Sequence, residues 1–205
     1  LRVVDKLEYE GKGLNLTFEV RDGILRHSKG RGEILNDDPE GRPATLEGQI
    51  VRVSDVIAYV NHDIDDALRA GIIKEEDIPS KITETLGKLH ATRIDRLVTD
   101  VVDTSLKVGL ERIAMSHKIY QALLDLRNFL YDRVYLNSEA REELNKTRKV
   151  VKELYEYLLK NPDGGVKDYP RGDPLERRVA DFVAGMTDSY ALALYEKIFL
   201  PRIRF

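Results

Sequence analysis

From Thr45 onward apolar residues recur three and four positions apart, the period of an α-helix packed on one side, and this predicts helix almost throughout. The first long segment starts at Thr45 and ends at Gly71, a residue suited to closing a helix. A second runs from Lys81 to Val108 and stops near Gly109, and a third runs from Ser116 as N-cap to Tyr135. A fourth starts at Asn137 or Ser138 and ends before Asn161-Pro162-Asp163-Gly164-Gly165. The last opens on Asp173, Pro174 and Glu176, a cap, a first-turn proline and a capping-box glutamate, and continues to Phe199 before Pro201.

Ahead of Thr45 the signals are shorter. Leu1 to Glu8 reads as the tail of a helix, Glu10 to Gly13 as a turn, and Asn15 to Ile24, which shows no clean alternation, as another helix. A polar loop follows, from His27 through Gly30, Gly32, Asp37, Asp38, Pro39 and Gly41 to Pro43; its turn chemistry marks the expected mobile segment. No stretch has the pattern of a strand, so the expected class is all-α, a helical bundle.

On a wheel with Asp55 at zero, Ile50, Val53, Ile57, Val60, Ile64 and Leu68 fall at roughly 140–220°, a continuous core stripe. Glu47, Ser54, Asn61 and Asp65 gather at roughly 240–280° as a solvated face. A second polar stripe, Gly48, Arg52, Asp55, Tyr59, His62, Asp63 and Asp66, lies apart from it, between apolar shoulders made by Val51 and Ala58 and by Val56 and Ala67. Carboxylates stacked on one face repel one another, and a cation or hydrogen-bonding ligand relieves that cost. Their oxygens suit Mg²⁺ or Mn²⁺, or, joined by imidazoles, another transition metal. Periodicity alone is equally compatible with a second wet face neutralised by Arg52 and Arg69.

Composition narrows the field. The 205 residues suffice for one globular domain or a large part of one, 42% are hydrophobic and 34% charged, and no run approaches the length of a membrane-spanning helix. A soluble, cytoplasmic protein with no membrane partner is expected. The net charge of −3 excludes nucleic-acid binding driven by overall basicity, and the absence of cysteine excludes disulfides, thiolate metal sites and a cysteine nucleophile. The chain opens Leu1-Arg2-Val3-Val4 without Met or a signal-like segment, which reads as a fragment or trimmed chain.

The residues from Glu47 to Asp66, with Asp55, Tyr59 and Asp63 four apart, resemble the signature of the deoxyguanosine triphosphate triphosphohydrolase-like proteins of the HD superfamily. Leu1-Arg-Val-Val4, Leu14 to Ser28 and Val183 to Tyr190 resemble three further stretches of that family. The resemblance covers nearly the whole chain. It implies an HD-type helical phosphohydrolase fold, seen here in its C-terminal part, with residues 1–110 continuing the core and 111–205 packing on it. It also implies metal-dependent hydrolysis of a deoxynucleoside triphosphate (dNTP) to deoxynucleoside and triphosphate. Asp55 would be a ligand of the divalent metal, Tyr59 would pack on the sugar and exclude a 2′-hydroxyl, and Asp63 would accept from the 3′-hydroxyl. One helix face would deliver all three about 6 Å apart, at 1.5 Å of rise per residue.

Arg93 is the candidate cation for the triphosphate, with Arg96 second, and His27 is a candidate phosphate contact beside Ser28 and Lys29. The family's remaining ligands, a His and a His-Asp pair, belong upstream of Leu1; His62-Asp63 is such a pair in letters only, since it lies inside the Asp55 motif. The chain alone is therefore expected to be inactive, and a non-catalytic nucleotide-binding or oligomerisation module is the alternative reading. Homo-oligomers up to hexamers and a single-stranded nucleic acid are the further partners considered. His90 and His117 read as helix-surface residues, Asp188 and Tyr190 as structural, Arg141 to Lys152 as an ion-paired solvated helix, and Pro201 to Phe205 as a packing or oligomer contact.

Overall fold

The computed structural model describes residues 1–28, 32, 34–35, 40–136, 138–162, 165–166 and 172–201, without the side chains of 138–141. Gly30, Asp37, Asp38 and Pro39 of the polar loop, Lys29, the Arg141 side chain and residues 202–205 of the tail lie outside the described residues. In chain order the elements are a π-helical turn at Val3–Leu7, α1 (Glu8–Gly11), α2 (Phe18–Arg26), α3 (Leu46–Arg69), a 3₁₀ turn at Glu75–Asp77 and α4 (Ser80–Leu86). Then come α5 (His90–Lys107), α6 (His117–Leu130), a π-helical turn at Tyr131–Tyr135, α7 (Ser138–Lys160), α8 (Leu175–Ala184) and α9 (Asp188–Phe199). No strand occurs among the described residues, and no helix among them is long and apolar enough to cross a membrane.

Contacts divide the chain into two units: Leu1 with Leu16–Asn137, and Arg2–Asn15 with Ser138–Phe205. In the first, Thr17 and Thr45 cap α2 and α3 by accepting from the backbone amides of Val20 and Gly48. The α3 residues Val53, Ile57, Val60 and Ile64 bury against Ile82 and Leu86 of α4, Leu97 of α5 and Leu123, Leu126 and Leu130 of α6. The two glycines where α2 crosses α3 permit close approach. A Cβ on Gly48 would stand 3.3 Å from the Gly23 Cα and 2.8 Å from the Pro43 Cβ.

Two expected helices are each broken in two. The segment predicted over Lys81 to Val108 stops at Gly87, whose φ of +97° favours glycine, and restarts at His90. The guanidinium of Arg96 donates to the carbonyls of Glu84 and Thr85, closing the last turn of α4 from outside. The final segment breaks at Gly185, and Thr187 caps a new helix through the Tyr190 amide. The apolar period runs through both breaks, so spacing does not reveal them.

In the second unit, Leu158, Val166 and Val179 form the core, with Tyr155, Leu175 and Phe182 packed around it. Arg2 reaches Asp181 and Asp173, each at 2.5 Å, and so ties the N-terminal segment to α8 and its start. The α1 turn is kinked by left-handed Tyr9 and Glu10. On α7, Lys146–Glu143, Lys149–Glu153 and Lys152–Glu156 pair along an exposed face, as expected for a solvated helix.

Candidate functional site

The side chains of α3 do not sort into two separate polar faces. Arg52 and Asn61 are buried, Asp65 is half-buried, and Val51, Ala58 and Ile50, expected as shoulder or core, are exposed. The exposed arc is a single one, containing Ser54, Ala58, Val51, His62, Asp55 and Asp66, with Tyr59 and Asp63 half-buried at its edge. The polar residues at the boundary go inside because other segments bring them partners, which a helical wheel does not show.

Arg93 is the chief of these partners. It is 2% exposed, and its Nε donates to Asn61 Oδ1 at 2.9 Å, its Nη2 to Asp65 Oδ1 at 2.6 Å and its Nη1 to the Lys88 carbonyl at 2.6 Å. His90 Nδ1 stands 2.5 Å from the other Asp65 oxygen, and the His62 ring meets His90 edge-on at 5.6 Å. Asn61 completes the cluster by donating to the Ile57 carbonyl at 2.7 Å. This bidentate clamp fixes the rotation of α3 about its own axis, and thus the direction in which Asp55, Tyr59 and Asp63 face. Arg93, expected on a phosphate, has its guanidinium committed to this clamp, and His90, expected as a helix-surface residue, faces Asp65.

On the other edge of the exposed arc the structure brings in residues that the motif did not. The Tyr135 hydroxyl donates to Asp63 Oδ2. Arg127, on α6, hydrogen-bonds the Tyr59 phenol and also donates to the Gly32 carbonyl at 2.8 Å. Burial raises the Tyr59 phenol above its ordinary pKa; Arg127 opposes this, and the carboxylates of Asp55 and Asp63 reinforce it. Burial and the hydrogen bond to Asp63 push the Tyr135 phenol up strongly, so it remains a neutral donor at physiological pH. Tyr131 packs edge-to-face on Tyr135 at 6.2 Å.

Arg127, Tyr131 and Tyr135 repeat on the α6 side the four-residue spacing of Asp55, Tyr59 and Asp63. The last turn is π-helical, a local widening found frequently at functional sites. That spacing is the signal in the sequence that points to them. The result is a surface with an exposed carboxylate at Asp55, a half-buried ring at Tyr59, a carboxylate at Asp63 held by a phenol, and a guanidinium beside the ring.

His27 stands elsewhere on the unit. Its Nδ1 lies 2.7 Å from the Ile24 carbonyl, and it lines a shallow apolar depression with Glu47, Gly48 and Val51, one turn before Asp55. Among the described residues no three His, Asp or Glu side chains assemble as a metal-ligand set. Asp55 therefore does not fit a metal centre on its own; it offers one oxygen donor group, fewer than a divalent ion requires.

Comparison with known proteins bears on what this surface serves. Residues 113–197 match the model of the phosphohydrolase-associated domain. The whole chain is similar to proteins described as "deoxyguanosinetriphosphate triphosphohydrolase-like protein". That of Caldanaerobacter subterraneus subsp. tengcongensis is 48% identical over 204 residues, covering 98% of this chain and 57% of the relative. That of Clostridium tetani is 44% identical over 209 residues, covering 99% of this chain and 59% of the relative. That of Ralstonia nicotianae is 31% identical over 245 residues, covering 99% of this chain and 63% of the relative. The chain thus spans about three-fifths of the length of these relatives.

Proposed function

We propose, for a chain homologous to the deoxyguanosinetriphosphate triphosphohydrolase-like proteins, that α3, α6 and the following π-helical turn form the sugar- and phosphate-facing wall of a dNTP triphosphohydrolase site. The observation that carries this reading is the Tyr135-to-Asp63 hydrogen bond beside the Tyr59–Arg127 pair. The phenol occupies one Asp63 oxygen and turns the carboxylate to a fixed orientation, leaving acceptor capacity for a ribose 3′-hydroxyl. Tyr59 supplies a ring on which a deoxyribose packs and against which a 2′-hydroxyl would lie. Arg127 supplies the cation for the phosphates, since the Arg93 guanidinium is held by Asn61 and Asp65.

The reaction adds water to the α-phosphorus and breaks its bond to O5′. The triphosphate keeps the new P–O bond, and the deoxynucleoside leaves with the proton on O5′. The residues of this chain would contribute position and charge: Asp63 and Tyr59 hold the sugar, and Arg127 balances negative charge on the phosphates. Asp55 would give one ligand to a divalent ion, with the remaining ligands coming from elsewhere.

A second reading has its own support. A nucleotide-binding or assembly module without catalysis needs only the contacts of Tyr59, Asp63 and Arg127, which the described residues supply. One experiment separates the two. Inorganic triphosphate release from a dNTP is measured in the protein carrying this chain, with Asp55→Ala as the variant. Loss of release with Asp55→Ala supports the enzyme, whereas retained release and metal content in the variant refute the assignment. Binding of dNTP without any release, in the unaltered protein, supports the module.

A further inference from the structure

On the second unit, a groove of about 540 Å³ runs between α7 and α8. Val151 and Tyr155 of α7 and Ala180 and Val183 of α8 line it, and Arg148 and Lys152 stand exposed one turn apart along its α7 edge. Val151 is 44% exposed, so part of the apolar floor is open to water. No Asp or Glu lines the groove among the described residues. Arg148 has the Asn145 amide oxygen at 3.4 Å, and Lys152 has Glu156 at 3.8 Å, so both cations are held loosely. Arg177, three residues before Ala180, adds an exposed cation on the same side of α8.

The same unit presents the complement at another place. At the kink in α1, Tyr9 and Glu10 both adopt a left-handed backbone, each with a φ of +56°. Consecutive bulky residues in that region are disfavoured and persist only where the surroundings hold them there. Backbone bonds do so here. The Gly13 amide donates to the Glu8 carbonyl at 3.0 Å, the Lys12 amide to the Tyr9 carbonyl at 3.2 Å and the Leu14 amide to the Val4 carbonyl at 2.8 Å.

The Tyr9 side chain gains no burial from this strained turn. It is 70% exposed, more than any other described Tyr or Phe, and stands between exposed Glu8 and Glu10. Lys12 lies 5.4 Å from the ring centre and 4.0 Å from Glu10, which leaves Glu8 without a cationic partner among the described residues. A strained turn that holds an aromatic ring out in water, with carboxylates on both sides, points to a contact outside the fold.

We propose that the groove between α7 and α8 receives the Tyr9 turn of a second copy of this chain. Tyr9 does not line the groove of its own copy, so the ring that fills it comes from another molecule. The volume falls within the roughly 300–1,000 Å³ of pockets that bury a compact group, and an inserted ring covers Val151 and Val183. Tyrosine is among the residues that carry most of the energy of such contacts, because it buries a large rigid face while its hydroxyl can stay wet. Glu8 and Glu10 then meet Arg148 and Lys152, which selects the direction of approach and adds little affinity of its own. A turn already held in its bound shape loses little entropy on docking. The proposal does not depend on the dNTP reading of the Tyr59 surface.

The test is photo-crosslinking in the protein carrying this chain, with a benzophenone amino acid at position 9 of isotopically light copies mixed with unaltered heavy copies. The expected product joins position 9 of a light copy to residues 147–155 or 180–184 of a heavy one. Sedimentation equilibrium measures the strength. Tyr9→Ala should weaken self-association about tenfold, and so should Glu8→Lys/Glu10→Lys or Arg148→Glu/Lys152→Glu, because like charges then face each other. Combining the two reversals in one chain restores opposite charges and should recover most of the loss, which a folding defect would not do. Crosslinks confined to one copy or missing the groove, a protein that stays monomeric, unchanged self-association in Tyr9→Ala, or no recovery in the combined variant overturns the proposal.

Discussion

Tyr135 and Asp63, 72 positions apart in sequence, are joined by a hydrogen bond from the phenol to the carboxylate, and that bond sets the orientation of the last acidic residue in the α3 motif. Without the donor, the Asp63 side chain is free to rotate. Tyr135→Phe is therefore expected to weaken dNTP binding about tenfold while changing thermal stability little, since the pair lies at the edge of the exposed arc. Parallel calorimetry and thermal melts check this; equal binding in Tyr135→Phe would remove Tyr135 from the site.

Arg93 has a different signature. Its guanidinium is buried and holds Asn61 and Asp65 at once. Truncation leaves a half-buried carboxylate and an amide without their donors, so Arg93→Ala is predicted to cost about 3 kcal/mol of folding stability. Arg93→Lys should recover only part of this, because an ammonium cannot reproduce the fork. Urea unfolding measures both. A phosphate-binding role without the clamp would instead leave stability intact and affect nucleotide affinity alone.

The α3 motif was legible in the sequence to different depths. Its core residues Val53, Ile57, Val60 and Ile64 follow from period alone, and its start follows from where that period begins at Thr45. The inward turn of Asn61 and Arg52 was not legible, because burial of a polar side chain depends on a partner delivered from far along the chain. Arg127 and Tyr135 share a four-residue spacing that marks them as a set, but nothing in the sequence places that set beside α3. The breaks at Gly87 and Gly185 leave no mark on the period, because a helix can stop and restart without disturbing the apolar spacing. The resemblance named Asp55, Tyr59 and Asp63 together, and the structure sets the phenol and the guanidinium beside them.

Asp22 connects α2 to the segment before α3. It accepts from the Ala44 amide at 2.8 Å and from Arg26 Nε at 2.6 Å, and these bonds, the amide first, hold its carboxyl below the usual carboxylate range. A depressed folded pKa means that the stabilisation is complete above the unfolded value of about 3.9 and is lost as pH falls through the folded one. Asp22→Asn should thus destabilise the protein by roughly 1–2 kcal/mol at neutral pH. The gap between variant and unaltered protein should narrow below about pH 4. Thermal melts from pH 7 to pH 2.5 test the sign; a gap that widens on acidification would contradict it.

Gly48 tests the helix crossing. An added methyl meets the Gly23 backbone and the Pro43 ring, neither of which yields easily, so Gly48→Ala should cost roughly 1–3 kcal/mol by overpacking. Gly71, whose Cβ would meet nothing within 4 Å, is a control in which only its φ of +69° opposes a side chain. Gly71→Ala should cost about 1 kcal/mol.

The central claim is that the α3 face reads a deoxyribose through Asp63. The most direct measurement compares kcat/KM for a dNTP and for the corresponding 2′,3′-dideoxynucleotide, in the full protein carrying this chain, unaltered and with Asp63→Asn. The account predicts that Asp63→Asn lowers kcat/KM about tenfold for the dNTP and leaves the dideoxynucleotide, which has no 3′-hydroxyl to lose, unchanged. An equal fall for both substrates, or no fall for either, would contradict it.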